Sequence, residues 1–200
     1  MENIFLTADT HFSHDAIRRY CNRPFSTVEE MDETLIENWN NIVRISDVVY
    51  VLGDFARRDH RKFLNKLNGK KILIIGNHDD VSQYKTGDFL EIHDLLFRKI
   101  DGIQVIMCHY SMKTWRNSCH GSWHFYGHSH QKLPESETSW SFDVGVDGWD
   151  FTPVPWEVAK ERMYNTKNKL KFYPCGERDD THERNKTINM KYIKKYKEKN

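Results

Sequence analysis

Eight side chains stand out because they can hold a cation or carry a proton: Asp9, His11, Asp54, Asn77, His78, His109, His128 and His130. They fall in five blocks: Asp9-Thr10-His11, Gly53-Asp54, Gly76-Asn77-His78-Asp79, Cys108-His109 and Gly127-His128-Ser129-His130. Each block alone has an ordinary reading. A histidine at a strand end is more often a satisfied polar residue than a ligand, and Gly-Asp is usually a turn. The conjunction carries the signal. Carboxylates and imidazoles gathered in one place are costly to bury unless something pairs with them, and divalent cations are the natural partner. Imidazole nitrogen mixed with carboxylate and amide oxygen suits Mn, Fe or Zn better than Ca. The Asp-x-His and His-x-His spacings predict alternate residues on one side of an extended strand end, reaching a common point. Asp54, in the middle of the order, has two oxygens with which to bridge two ions.

The elements that must position these residues are legible around them. Ile4-Phe5-Leu6-Thr7-Ala8, Val48-Val49-Tyr50-Val51-Leu52, Lys71-Ile72-Leu73-Ile74-Ile75, Ile103-Gln104-Val105-Ile106-Met107 and Trp123 to Tyr126 each read as a strand. Each of these five ends at one of the polar blocks. Phe142 to Val146 reads as a sixth strand. Ser26 and Thr27, with Glu29 and Glu30 three residues behind them, supply a capping box. Val28, Met31, Leu35, Trp39, Ile42 and Val43 then recur at helical spacing, which predicts a long amphipathic helix over 28–45. Further helices are expected over 59–68 and from Trp156 to Met163, the last opened by Pro155. Strands alternating with helices argue an α/β domain with a substantially parallel sheet, whose strand C-termini are where such folds place their sites.

Length and composition bound the rest. Two hundred residues suit one domain with a substantial core. No apolar run approaches the ~20 residues of a membrane span. The start, MENIFLTADTHF, lacks the pattern of a secretion signal. Four cysteines without C-x-x-C spacing suggest a reducing interior, so the expected location is cytoplasmic, with no membrane partner. The net charge of +1 excludes strong whole-molecule attraction to nucleic acid, but its distribution is uneven. Residues 164–200 carry 11 Lys and Arg against 5 Asp and Glu, which leaves residues 1–163 net acidic. We therefore read a domain over 1–163 and a basic, partly mobile extension over 164–200, with one helical stretch around 188–196.

The five blocks, in this order and at strand ends, resemble the calcineurin-like metallophosphoesterases. The finer pattern of Asp9-Thr10-His11-Phe12-Ser13-His14, Asn22-Arg23-Pro24-Phe25 and Val144-Gly145-Val146-Asp147 looks like a subgroup of small bacterial and phage phosphoesterases. The resemblance covers about residues 1–163. It implies a four-layer αββα sandwich with a binuclear metal site at strand C-terminal ends. Asp9, His11 and His130 would hold the first metal, Asn77, His109 and His128 the second, and Asp54 would bridge them. The ions would be divalent, Mn first, with Fe, Zn or Ni as alternatives. His78 would be the catalytic histidine, touching phosphoryl oxygens or protonating the leaving oxygen, while a metal-bridging hydroxide attacks phosphorus in line. Protein phosphatases of the family follow Gly-Asp with a further Asp that orients this histidine. Here Arg57 occupies that place, and whether Asp79 takes the role is open. Arg58 matches the position of the phosphate-contacting Arg.

The function expected is therefore metal-dependent phosphoester hydrolysis. A phosphodiesterase on a small nucleotide-like substrate is favoured, because the chain leaves little room for a large cap and lacks the protein-phosphatase Asp. A phosphomonoesterase, or a nuclease using the basic tail along a polynucleotide backbone, is the alternative within enzymes. A metal-binding interaction module without catalysis is the alternative outside them, and the presence of His78 speaks against it. Arg23 is a candidate bidentate phosphate contact, the alternative being a structural salt bridge. His14 is a candidate contact to substrate phosphate or to a metal-bound water, the alternative being a helix start. His120 and His124 read as surface positions near the metal blocks, and Trp115 and Trp123 as core or rim packing.

Overall fold

The computed structural model describes residues 2–134 and 139–165. The apolar runs become strands because both their faces are buried, as parallel strands require. In chain order the elements are β1 (Ile4–Thr7), α1 (Asp15–Tyr20), α2 (Val28–Ile42), β2 (Val48–Val51), α3 (His60–Leu64), β3 (Lys70–Ile74), β4 (Glu91–His93), β5 (Leu95–Ile100), β6 (Ile103–Cys108), β7 (Trp123–Tyr126), β8 (Ser141–Asp143), β9 (Val154–Pro155) and α4 (Trp156–Asn165). One sheet has the order β4-β3-β2-β1-β9, all parallel except β9. The other has the order β5-β6-β7-β8, all parallel except β5. The two parallel-rich sheets of the expected sandwich are thus present.

Alternation along β1 and β2 sorts the core. Leu6, Tyr50, Leu52, Ile72 and Ile74 face the second sheet and meet Val105, Met107, Trp123, Phe125 and Phe142. Trp156, Ala159 and Met163 of α4 close this layer. Phe5, Val49, Val51 and Leu73 point the other way, onto Met31, Leu35 and Trp39 of α2, Phe63 and Leu64 of α3 and Ile17 of α1. The outer face of the second sheet is covered by the segment 110–122, where Trp115 packs on His124 and the Arg116 guanidinium lies over Phe97.

The cap of α2 forms as its sequence suggests. Thr27 Oγ1 accepts from Glu30 N–H at 3.1 Å, and Glu30 reaches back to the N–H of Ser26 at 2.6 Å; such caps contribute about 1 kcal/mol. The helix stops at Ile42, short of the expected 45. Val43 is extended, and Asp47 turns the chain by accepting from Arg44 N–H at 2.8 Å and Asn3 N–H at 2.9 Å. The helix expected over 59–68 is only α3, and the chain beyond it runs in turns. The ammonium of Lys71 donates to the carbonyls of Leu64 and Leu67 there. The strand expected to reach Val146 ends at Asp143, whose carboxylate takes the N–H of Gly145 at 2.7 Å and starts a 3-10 turn.

Three strands were not expected. β5 pairs with β6 through Asp101-Gly102, both at positive φ; this Asp-Gly pair was a hairpin signal in the sequence. β4 is a short edge strand. β9 holds Pro155, read as the first residue of the last helix, opposite Phe5; an edge strand tolerates proline. The extension beyond 165, with its expected helical stretch around 188–196, lies outside the described residues. No helix among the described residues is long and apolar enough to cross a membrane.

Candidate metal centre

Five of the eight candidate residues sit where the chain leaves a strand or bridge in the left-handed region: Asp9 (φ 58°), His11 (φ 50°), Asp54 (φ 56°), His128 (φ 65°) and His130 (φ 47°). This corrects the expectation that an extended, period-two strand end would align Asp9 with His11 and His128 with His130. β1 has already ended at Thr7, and kinks rather than strand pleat aim these side chains. Non-glycine residues in this region are uncommon and strained, and such strain gathers at functional sites. Backbone bonds hold the kinks in place: Asp9 N–H to Gly53 O at 3.0 Å and His11 N–H to Asp54 O at 2.9 Å.

Glycines let the loops close in. Gly53 has φ +90°, and a Cβ there would lie 2.4 Å from His109 Nδ1. At Gly127 a Cβ would meet Ala8 Cβ at 2.4 Å and Asp9 Oδ2 at 2.7 Å. No other residue fits either place.

The result is two groups of donor atoms: Asp9, His11 and His130 in one, and Asp54, His109 and His128 in the other. A third grouping, Cys21 with His130 and Asp147, shares His130 with the first. The first has the residues of the first set that the resemblance implies, and the second has two of the three in the other set, His109 and His128, with Asp54 beside them. Asn77 joins the second, with its Oδ1 3.2 Å from His109 Nε2. Asp54 stands between them: its Oδ2 is 3.4 Å from His11 Nε2 and 3.5 Å from His109 Nε2, while its Oδ1 accepts from His78 N–H at 2.8 Å. His109 gives Nδ1–H to Leu52 O at 2.7 Å, so in the neutral ring that a cation requires, Nε2 is the nitrogen with the lone pair, while in the protonated ring Nε2–H faces Asp54. Asp9 Oδ2 accepts from His128 N–H at 2.8 Å. Asp9 Oδ1 and His11 Nε2 are buried and make no hydrogen bond among the described residues. Buried polar atoms rarely go unpaired without a reason. Two orphaned ligand atoms in an Asp/His cluster are what a divalent cation would satisfy, so the residues present fit the metals that the resemblance implies.

The electrostatics separate the carboxylates. Burial lifts the Asp9 carboxyl to about 7, against the pull of His130 and His109. Burial also acts on Asp54, but the bond and charge of His109, the charge of His11 and the N–H of His78 outweigh it and hold that carboxyl at about 2. Burial pushes the His11 imidazole well down. Burial opposes charge on His130 too, yet its bonds to Asp147 and Cys21 and the charge of Asp9 raise it. A cation needs the carboxylate and the neutral imidazole. Loading at neutral pH should therefore release protons, and affinity should fall as pH drops through 7, where Asp9 takes up its proton. Calorimetric titration with Mn2+ in buffers of different ionisation enthalpy checks this; a heat independent of buffer would contradict it.

Arg23 does not face a ligand. Its side chain is fully buried and grips Asp147 at 2.8 and 2.9 Å, and it also donates to Asp9 O at 2.6 Å and Thr10 O at 3.1 Å. The reading of Arg23 as a phosphate contact gives way to the structural salt bridge. Asp147 in turn accepts His130 Nδ1–H at 2.7 Å. The Arg-Pro-Phe and Val-Gly-Val-Asp motifs are thus two halves of one buttress behind the first cluster. Asp147→Asn should weaken cation binding there by about 10–100-fold, as lost outer carboxylates do. It should also destabilise the fold by roughly 3–5 kcal/mol by stranding a buried guanidinium. Thermal unfolding with and without Mn2+ reads both effects, and an unchanged melting temperature would contradict the second.

Sequence reasoning missed the roles of Asp147, Asp143 and Asp79. Asp143 accepts from Ser129 Oγ and from Gln131 N–H at 3.2 Å, fixing the loop that carries His128 and His130. Asp79 takes the N–H groups of Asp54 (2.8 Å), Gly76 (2.8 Å) and Phe55 (3.0 Å) and the hydroxyl of Tyr84 (3.0 Å). It ties the β2 and β3 loops together, and each of its bonds goes to a group other than the His78 ring. The motif pattern held both Arg23 and Asp147, but only the burial of Arg23 in the structure shows that it needs a carboxylate partner.

The His78 ring is half-buried, 5.2 Å from His11 at 73° and 5.4 Å from His14 at 54°. Burial, with the charges of His78 and Arg57, lowers the His14 imidazole. Arg57 and Arg58 are exposed between β2 and α3. His124 belongs to the core rather than the surface: its Nε2 accepts from Met112 N–H, and burial pushes it down to about 4. Trp123 is in the inter-sheet core, and Trp115 packs on His124 at the outer face of the second sheet, donating to Ser122.

Comparison with known proteins bears on this site. The chain is 40% identical over 185 residues to the uncharacterized protein MJ1445 of Methanocaldococcus jannaschii, spanning 85% of this chain and 99% of that one. The chain belongs to the MJ1445 family. This MJ1445 relative is also 26% identical over 203 residues to the Gene 66 protein of Mycobacterium phage D29, covering 85% of itself and all of the phage protein. No family model matches. Among solved structures, the protein of unknown function AQ665 from Aquifex aeolicus superimposes with a TM-score of 0.64 at 19% identity, over 81% of this chain and all of its own, and so shares the fold. The Yfce phosphoesterase of E. coli, at a TM-score of 0.36 and 15% identity over 72% of this chain and 78% of its own, is too distant to inform either fold or activity.

Proposed function

We propose that this MJ1445 relative is a metal-dependent phosphoester hydrolase of the calcineurin-like metallophosphoesterase type, acting on diesters of small nucleotide-like molecules. The observation that carries the reading is Asp54, one carboxylate oxygen of which lies 3.4 and 3.5 Å from imidazoles of two separate donor groups. Asp9, His11 and His130 would hold one divalent cation, Asn77, His109 and His128 the other, and Asp54 would serve both. A pair of such cations lowers the pKa of water and draws charge from phosphoryl oxygens.

The protein's own groups supply the remainder. In hydrolysis the oxygen of water bonds to phosphorus, the proton it sheds passes to solvent, from which His78 is later reprotonated, and the ester P–O bond breaks. His78, half-buried beside His11, gives its ring N–H proton to the departing oxygen as a general acid. Arg58 meets the phosphate from the exposed segment before α3. Arg57, standing where a protein phosphatase carries Asp, is what favours diesters over phosphoproteins.

Side-by-side turnover of bis-p-nitrophenyl phosphate and p-nitrophenyl phosphate, after metal stripping and resupply with Mn2+, tests the proposal. Mn2+-dependent diester turnover is expected. Preference for the monoester would move the substrate class to phosphomonoesters. No turnover of either, in protein that binds two cations, would replace the enzyme by a metal-binding interaction module.

A further inference from the structure

His14 stands at the head of α1, where a polar side chain ordinarily caps the helix by accepting a backbone N–H. It makes no such bond. Its ring is turned back instead, with Nδ1 3.3 Å from Nδ1 of His11 and the two ring centroids 5.2 Å apart. His11 is 1% exposed, and its other nitrogen, Nε2, is the orphaned atom aimed at the first cluster. A neutral imidazole carries one proton. For Nε2 to offer a lone pair to a cation, that proton must sit on Nδ1, and the acceptor facing Nδ1 is His14.

We propose that His14 is a positioning residue whose Nδ1 accepts the Nδ1 proton of His11, fixing the tautomer and ring orientation in which His11 presents Nε2 to the first cation. His14 Nδ1 is then spent on His11, which leaves Nε2 as its ring nitrogen for any contact with substrate phosphate or a metal-bound water. The assignment completes a pattern. His109 is held through Nδ1 by Leu52 O and His130 through Nδ1 by Asp147, so three ligand histidines are each fixed from behind by a different acceptor. Such outer partners set both orientation and basicity of a ligand. The inference rests on reading the first cluster as a cation site, but not on the reaction.

The test is Mn2+ binding by the full chain, followed by calorimetry and by the paramagnetic resonance of free Mn2+, for wild type, His14→Leu and His14→Asn. Asn places an acceptor oxygen near the position of the histidine Nδ1, and Leu places none. His14→Leu should lose about 10–100-fold in affinity at one of two sites, while His14→Asn stays within a few-fold of wild type. Melting temperatures of the metal-free proteins check that both variants fold. Wild-type affinity in His14→Leu overturns the proposal, as does equal loss in both variants. A raised KM at saturating Mn2+ with unchanged Mn2+ affinity also overturns it, and returns His14 to the substrate. If the protein hydrolyses no phosphoester yet shows the Leu and Asn contrast, the positioning role stands and the hydrolase reading falls. If the wild type binds no Mn2+, both fall.

Discussion

Asp54→Asn should lose both cation sites and all metal-dependent turnover while leaving the fold intact. The asparagine oxygen can still accept the N–H of His78, which Asp54 Oδ1 takes at 2.8 Å. The change falls on the other atom. Where Oδ2 lies 3.4 and 3.5 Å from the imidazoles of His11 and His109, an amide NH2 would point its donors at both. It would satisfy the orphaned His11 Nε2 and occupy the space between the two donor groups. The metal-free Asp54→Asn variant should therefore melt no lower than wild type, yet bind no Mn2+ with comparable affinity in either group. Its loss of activity should exceed the ~10^2–10^4-fold that removal of one general acid brings. Retention of one tightly bound cation would show that Asp54 serves a single site and would undo the shared-carboxylate reading on which the proposed function stands.

His78→Ala separates chemistry from metal binding. The side chain is in neither donor group, and the backbone N–H that meets Asp54 survives the substitution. Two cations should still bind with near wild-type affinity. Turnover of a diester with a poor leaving group should drop by about 10^2–10^4-fold, because the departing oxygen then leaves without a proton. A leaving group as acidic as p-nitrophenol needs that proton less, so its loss should be smaller. The ratio of the two losses is the measurement. Equal losses would mean that His78 acts on the phosphoryl oxygens rather than as an acid, and lost metal binding would make it a ligand.

The sequence made some features legible because their causes are local. Val48 to Val51 is a strand because every residue of the run is apolar, and Thr27 caps α2 because its hydroxyl meets the N–H three residues on, with Glu30 reaching back to Ser26. The types of the candidate ligands and their order were open to inspection, and so was the coincidence of polar blocks with strand ends. Boundaries that depend on a distant carboxylate were not. α2 stops early because Asp47 pulls the chain into a turn that also holds Asn3, and β8 stops because Asp143 binds Gly145. The Arg23–Asp147 pair spans 124 residues of sequence, so no window along the chain could join its halves. For that reason the sequence left Arg23 open between a phosphate contact and a structural salt bridge.

By itself, then, the sequence determined which residues could carry chemistry and which runs would be buried as strands, since both follow from side-chain type and short-range spacing. Tertiary structure decided that Asp9 and His11, His128 and His130 converge through left-handed kinks rather than strand pleat. It decided too that Asp54 falls between two donor groups, that Asp147 and His14 stand behind the histidines, and that burial sends Asp9 towards 7 while its neighbours hold Asp54 near 2. The physical reason is one of range. Propensity and periodicity act over a few residues, whereas convergence, desolvation and charge pairing exist only once distant segments are packed together.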